Sequence, residues 1–226
     1  MYKVSLSFLL RSTPVFLLAL MSTGCGGLLG SASYHDVKYY ALSAPRALPK
    51  RGIRINVLSI KSLVATKNKM LYRDSSCLVL QDEYNKWIQS PVFMMRQYLQ
   101  DAFNANDRDG TFGNKNSYYL SGSIVAFEIN LVQKTVTLGM DYRLQEANNR
   151  EICLENAVTI DEPYRAETPA AFAEAMSTAA AKLSQPIFDS AWQLHRQNQT
   201  AAAAQTAPAA KAAPATKAPA TGTGKR

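Results

Sequence analysis

Apolar residues fall into two rhythms along this chain, and the switch between them marks out its elements. In KTVTLGMDYRLQ, Val136, Leu138, Met140, Tyr142 and Leu144 alternate with Thr135, Thr137, Gly139, Asp141 and Arg143. Successive side chains on a strand point to opposite faces, so this pattern predicts a strand buried on one face only. Tyr118 to Leu131 before it, and Ile152, Leu154, Val158 and Ile160 after it, extend the pattern into an antiparallel meander, with turns near Gln133 and at Ala147, Asn148 and Asn149. Nearer the start, VKYYAL (37–42) and IRINVLSI (53–60) are rich in β-branched and aromatic residues and are separated by Pro45, Pro49 and Gly52, which reads as strand, loop, strand. Met70 to Arg73 and Cys77 to Leu80 read as two more short strands.

The rhythm turns helical twice. Ser90 suits a cap, and Pro91 suits the first helical position, where a missing N–H costs nothing. Ile88, Val92, Met95, Leu99 and Phe103 then recur at three- and four-residue steps, a buried stripe with Trp87 packing at the helix entrance. The polar run from Asn104 to Asn116 ends this helix. Thr168 and Pro169 open a second, with Phe172, Met176, Ala179 and Leu183 on one side. Pro186 should kink or break it before a further helical piece over Ile187 to His195. The expected fold class is α+β: a mixed, mostly antiparallel β-sheet with two main helices packed on one face.

Both ends of the chain differ from this pattern. From Gln197 the sequence is alanine, proline, threonine and lysine with no bulky apolar side chain. Such a segment buries too little surface to offset its backbone entropy, so 197–226 is expected to be a disordered, solvated tail; its bases would be its means of touching anionic envelope polymer. At the other end, Lys3 and Arg11 precede an apolar stretch from Val15 to Met21 and the small residues Ser22, Thr23 and Gly24. Arg11, Ser12, Thr13 and Pro14 interrupt the run, which is too short for the roughly 20 apolar residues of a transmembrane helix. It reads as an export signal over 1–24.

Cys25 follows at once, and the stretch is similar to the lipobox of bacterial lipoproteins. Ser22 departs from it, standing where leucine is usual. The resemblance implies that Cys25 becomes the first mature residue, carrying a diacylglycerol on its sulfur and an acyl chain on its amine. A single acyl chain holds a protein only reversibly, whereas several anchor it stably. Gly26 is not the aspartate that commonly retains such proteins at the inner membrane, so the expected location is the periplasmic face of an outer membrane. Residues 25–35 form the lipidated tether and 36–196 the folded domain.

The formal charge of +8 on 226 residues suggests nucleic acid until it is located. Lys3, Arg11, Lys211, Lys217, Lys225 and Arg226 lie in the two terminal segments; without those six of the 25 bases, 19 face 17 acids. A balanced body argues against a phosphate-binding footprint, and no nucleic-acid partner is expected. In an oxidising compartment Cys77 and Cys153 either form a disulfide or are two separately buried thiols, and neither has a second metal ligand at short spacing.

Catalytic signals are weak. His35 in the tether and His195 in the last helical turn read as surface residues. Ser121-Gly122-Ser123 lies within a strand, without the strand–turn–helix context of a nucleophile elbow. Asp107-Arg108-Asp109-Gly110 has Ala105 and Asn116 at calcium-loop positions that need acidic ligands. Asp161 and Glu162 have no paired carboxylate. No enzyme activity, cofactor or metal is expected.

The order of features resembles the auxiliary lipoprotein family of ABC-type transporters, which includes PqiC-like proteins of intermembrane lipid transport. The matching features are the lipobox, Tyr39-Tyr40-x-Leu42, a strand ending near Ile60, Leu71-Tyr72-Arg73, Trp87 heading the first helix, Ala126-Phe127-Glu128, Tyr142-Arg143-Leu144 and an alanine-rich last helix. They cover about residues 36–195. The resemblance implies a lipid-anchored module on the outer membrane that docks an MCE-domain periplasmic protein, whose ATPase and permease lie in the inner membrane. The sheet's second face is then available for that partner or for another copy of the chain. The competing readings are a structural lipoprotein that binds cell wall or pilots assembly, and an envelope hydrolase.

Overall fold

The computed structural model describes residues 35–49, 51–64, 67–104 and 116–206. The export signal, Cys25, Asp107 to Gly110 and the tail past Thr206 lie outside the described residues. The elements run β1 (Lys38–Tyr40), β2 (Arg54–Ser62), β3 (Lys69–Arg73), β4 (Val79–Trp87), α1 (Pro91–Asn104), β5 (Ser117–Asn130), β6 (Thr135–Glu146), β7 (Ile152–Pro163) and α2 (Pro169–Thr206).

The strands form one mixed sheet in the order β1-β4-β3-β5-β6-β7, with β2 also on β5. The long ladders, β5/β6 and β6/β7, are the expected antiparallel meander. Three shorter pairings are parallel: β1 on β4, and β2 and β3 on the same edge of β5. Strand β2 runs beside Ser117 to Ile124, and β3 sets Tyr72 and Arg73 beside Ile129 and Asn130. One long strand thus carries two short ones end to end.

The alternation in β6 has the expected consequence. Val136, Leu138, Met140 and Leu144 are fully buried and Tyr142 nearly so, all beneath helices. Helix α1 packs on β2, and α2 on β6 and β7. The helices meet where Phe103 stacks on Phe188, ring centroids 6.4 Å apart. The Ser90 carbonyl accepts the Met94 amide at the start of α1. The buried stripe of α1 is Met94, Met95, Tyr98, Leu99, Ala102 and Phe103, whereas Ile88 precedes the helix and is exposed.

Four expectations change. Strand β4 does not end at Leu80 but continues through the polar residues Gln81 to Lys86 to the buried Trp87. One Asp82 carboxylate oxygen accepts the Tyr84 and Asn85 amides at 2.8 Å, beside the register shift between Lys69 and Leu71. Hydrogen bonding, not an apolar face, holds this strand.

Helix α2 is not broken at Pro186. Leu183, Ile187, Phe188 and Ala191 are buried around the proline. Each larger side chain contributes about 1.5–3 kcal/mol on burial, together more than the roughly 3 kcal/mol a helical proline costs. The same helix continues through Ala201 to Ala204 to Thr206, so the disordered tail expected from Gln197 is corrected to helix as far as Thr206; alanine has the highest helix propensity. His195, expected at the surface, is buried at 6% exposure, because Trp192 lies beside it and Gln199 hydrogen-bonds its Nε2 at 2.8 Å.

Candidate docking surface

Residues that carry the sequence resemblance meet one another inside the fold. Trp87 at the end of β4 packs edge-on against Phe127 of β5, centroids 5.2 Å apart. Arg73 of β3 grips Glu128 of β5 with two nitrogens, Nη2 lying 2.8 Å from Oε2. Two parallel N–H···O bonds fix geometry as well as charge. Tyr72 donates to Asp82 at 3.0 Å and packs edge-on against Phe172 of α2. Burial, then Asp82, push the Tyr72 phenol well above its ordinary range. Burial alone would raise the Asp82 carboxyl, but hydrogen bonds from Asn85, Tyr84 and Tyr72 outweigh it and hold it below the usual range. Tyr142 exchanges a 3.2 Å hydrogen bond with Ser190 of α2. These motifs knit the β3–β4 hairpin and α2 onto the meander; their role is architectural.

Among the described residues, no helix packs on the opposite face of the sheet. Strand register sets Ser59, Ser121, Arg143 and Glu155 in one cross-strand row, and Lys61, Ser123, Asp141 and Ala157 in the next. Arg143 and Glu155 approach to 3.6 Å, an exposed pair worth little in stability. Ser59, Lys61, Ser121, Ser123, Arg143 and Gln145 border a shallow polar depression of about 250 Å³. Beyond it, Gly139 lets the bulged residue Val125 lie across β6, since a Cβ there would stand 2.8 Å from Val125 Cγ2. Thr137 donates to Asp161 at 2.6 Å. The face is small, polar and of mixed charge.

The sequence matches the family of ABC-type transport auxiliary lipoprotein components over residues 42–188. The chain belongs to this family. No curated protein matches the sequence. Among solved structures, a Xanthomonas campestris protein of family DUF330 is similar at TM-score 0.59 and 13% identity, over 73% of this chain and 99% of that one. Another, described only as an uncharacterized protein, gives TM-score 0.57 and 13% identity, over 69% and 98%. At such identity both likenesses concern the fold.

The family describes an auxiliary component of a transport system. Among the described residues no group of three metal-binding side chains occurs, and no helix is long and apolar enough to cross a membrane. Asp161 and Glu162 are neighbours on a strand and point to opposite faces; Glu162 pairs with Lys182 of α2. Ser121 and Ser123 belong to the open face, whereas His195 lies in α2, which packs on the other face.

The expectation of either a Cys77–Cys153 bridge or two buried thiols is corrected: both thiols are free, Cys77 exposed and Cys153 half-buried. Cys77 lies in the hairpin beyond the Asn130 end of β5, whereas Cys153 lies at the Tyr118 end. That separation is about 30 Å at 3.3 Å per residue, far beyond the roughly 7 Å Cα limit of a disulfide. Burial and the nearby carboxylates of Glu146 and Glu151 raise the Cys153 thiol, against a hydrogen bond from the Glu146 backbone.

Thr135, Thr137 and Gly139 were legible as the second face from alternation alone. Ser59 and Lys61 were not, although they flank Ile60 with the same period. Their place depends on the parallel register with β5, which local pattern does not encode.

Proposed function

We propose that this chain is a non-enzymatic lipoprotein, held by acylated Cys25 on the periplasmic face of the outer membrane. There it docks the MCE-domain protein of an ABC transport system that moves phospholipid between membranes. The observation that supports docking is the sheet face on which none of the described helices packs, whose paired rows of serine, basic and acidic side chains suit a reversible polar contact. Membership of the auxiliary lipoprotein family supports the transport setting, and the lipobox-like stretch before Cys25 supports the anchor.

Two experiments test the two halves. Cys25→Ala should leave an unprocessed precursor without bound lipid, and a mature, membrane-held product from that variant would refute the anchor. Detergent-extracted full-length protein should co-purify with a subunit that mass spectrometry identifies as an MCE-domain protein. Lys61→Glu combined with Arg143→Glu should remove that subunit. Undiminished recovery with the double variant would refute docking through this face.

A further inference from the structure

The two ends of the sheet differ, and the difference bears on how the anchored domain stands on its membrane. At one end the β3–β4 hairpin tip exposes Leu78, Val79 and Leu80, at 46%, 38% and 47%. The β5–β6 turn beside it exposes Val132 at 66%. The two turns are neighbours, because the Leu131 amide donates to the Arg73 carbonyl at 2.9 Å. At the other end the β6–β7 turn, Ala147, Asn148 and Asn149, is polar, and Ile152 just beyond it is exposed at 46%, against four apolar side chains at the hairpin end.

The chain enters the sheet near the apolar end. Lys38 lies beside Asn85, Lys86 beside Lys69, and Tyr72 beside Ile129. Lys38 is therefore level with β5 about three residues, or about 10 Å, from its Asn130 end, and about 30 Å from its Tyr118 end. Because β1 runs parallel to β4, the chain reaches Lys38 from the side of the hairpin tip. Thirteen peptide steps from Cys25 to Lys38 span at most about 45 Å, so the acylated residue and the tip can share one bilayer surface.

The geometry points to a second membrane contact: Leu78, Val79, Leu80 and Val132 sit in the headgroup boundary of the bilayer that holds the Cys25 acyl chains. The domain then stands with its Tyr118 end directed away from the membrane. This inference rests on the lipid anchor proposed above. The contact is apolar rather than electrostatic, since the nearby Lys134 is matched by Glu167 at 3.7 Å. Burial of such side chains adds to the anchoring of the acyl chains and, more importantly, fixes an orientation that a tether alone leaves open.

The test uses lipidated full-length protein in vesicles of phosphatidylethanolamine and phosphatidylglycerol. With Cys153→Ala, an environment-sensitive fluorophore is placed on Cys77 beside the tip. A control protein carries Cys77→Ser, Cys153→Ala and the label on Asn148→Cys. Doxyl-labelled lipid should quench the Cys77 label at least about threefold more than the control label, at low and high salt alike. Leu78→Ser with Val132→Ser should roughly halve that quenching while the protein still floats with the vesicles. Flotation with equal or no quenching at the two positions would overturn the inference while leaving the anchor intact. Quenching that follows protein density rather than doxyl lipid would overturn it in favour of a second copy at the tip. Loss of flotation by the parent protein would refute the anchor and this contact together.

Discussion

The two faces of the sheet are made from the same strands and differ in almost everything else. On the helix-covered face, every second residue of β6 is buried and apolar, and α1 and α2 supply Met95, Leu99, Met176, Leu183 and Ile187, all fully buried. On the open face the alternate residues of the same strands are serine, threonine, lysine, arginine and aspartate, arranged in cross-strand rows. The covered face holds the fold together, whereas exposed charges on the open face away from the Arg73–Glu128 clamp, such as the Arg143–Glu155 pair, contribute little to stability.

Substitutions on the two faces should therefore separate by size and by kind of effect. Val136→Asp places a carboxylate in the fully buried row; it should cost about 4 kcal/mol or more and unfold the domain. A soluble variant with unchanged melting temperature would refute the face assignment. Gly122→Ala comes next, because a Cβ there would lie 2.5 Å from the backbone oxygen of Asp141. A loss of about 1–3 kcal/mol is expected in denaturant unfolding, with the strands forced apart locally.

Removing the clamp between hairpin and meander should cost less. Glu128→Ala leaves Arg73 without its bidentate partner and should lower stability by about 1–2 kcal/mol, given that Arg73 is partly exposed. The effect of acid should be smaller still and confined to one pH range. Burial lowers the His195 pKa, so the folded state favours the neutral ring. Its contribution is complete above the unfolded value of about 6.5 and is lost as pH falls through that value towards the lower folded one. His195→Leu should flatten the melting-temperature profile in that window; an unchanged slope would show that His195 is not its source. Lys61→Glu on the open face should leave stability within about 0.5 kcal/mol of the parent while weakening docking.

What the sequence disclosed follows the same division. The β5–β6–β7 meander and the buried stripe of α1 were legible because one-sided burial writes a period into adjacent residues. Gln81 to Lys86 were not legible as strand, since Asp82 secures them through hydrogen bonds that leave no hydrophobic rhythm. The parallel placement of β2 and β3 along β5 joins residues about sixty apart in sequence, and no local rule gives such a register. The break expected at Pro186 does not occur, because side chains on both sides of it are buried and keep the helix continuous. The stretch before Cys25 is similar to a lipobox in sequence alone, and the cross-strand rows of the open face became visible only when the strands were set side by side.

Site-specific photocrosslinking in intact cells tests the division of labour most directly. A photoreactive residue at Ser123, on the open face, should become attached to the MCE-domain protein, whereas one at the exposed Thr178 of α2 should not. Attachment from Thr178 with none from Ser123, or from neither position, would contradict the account.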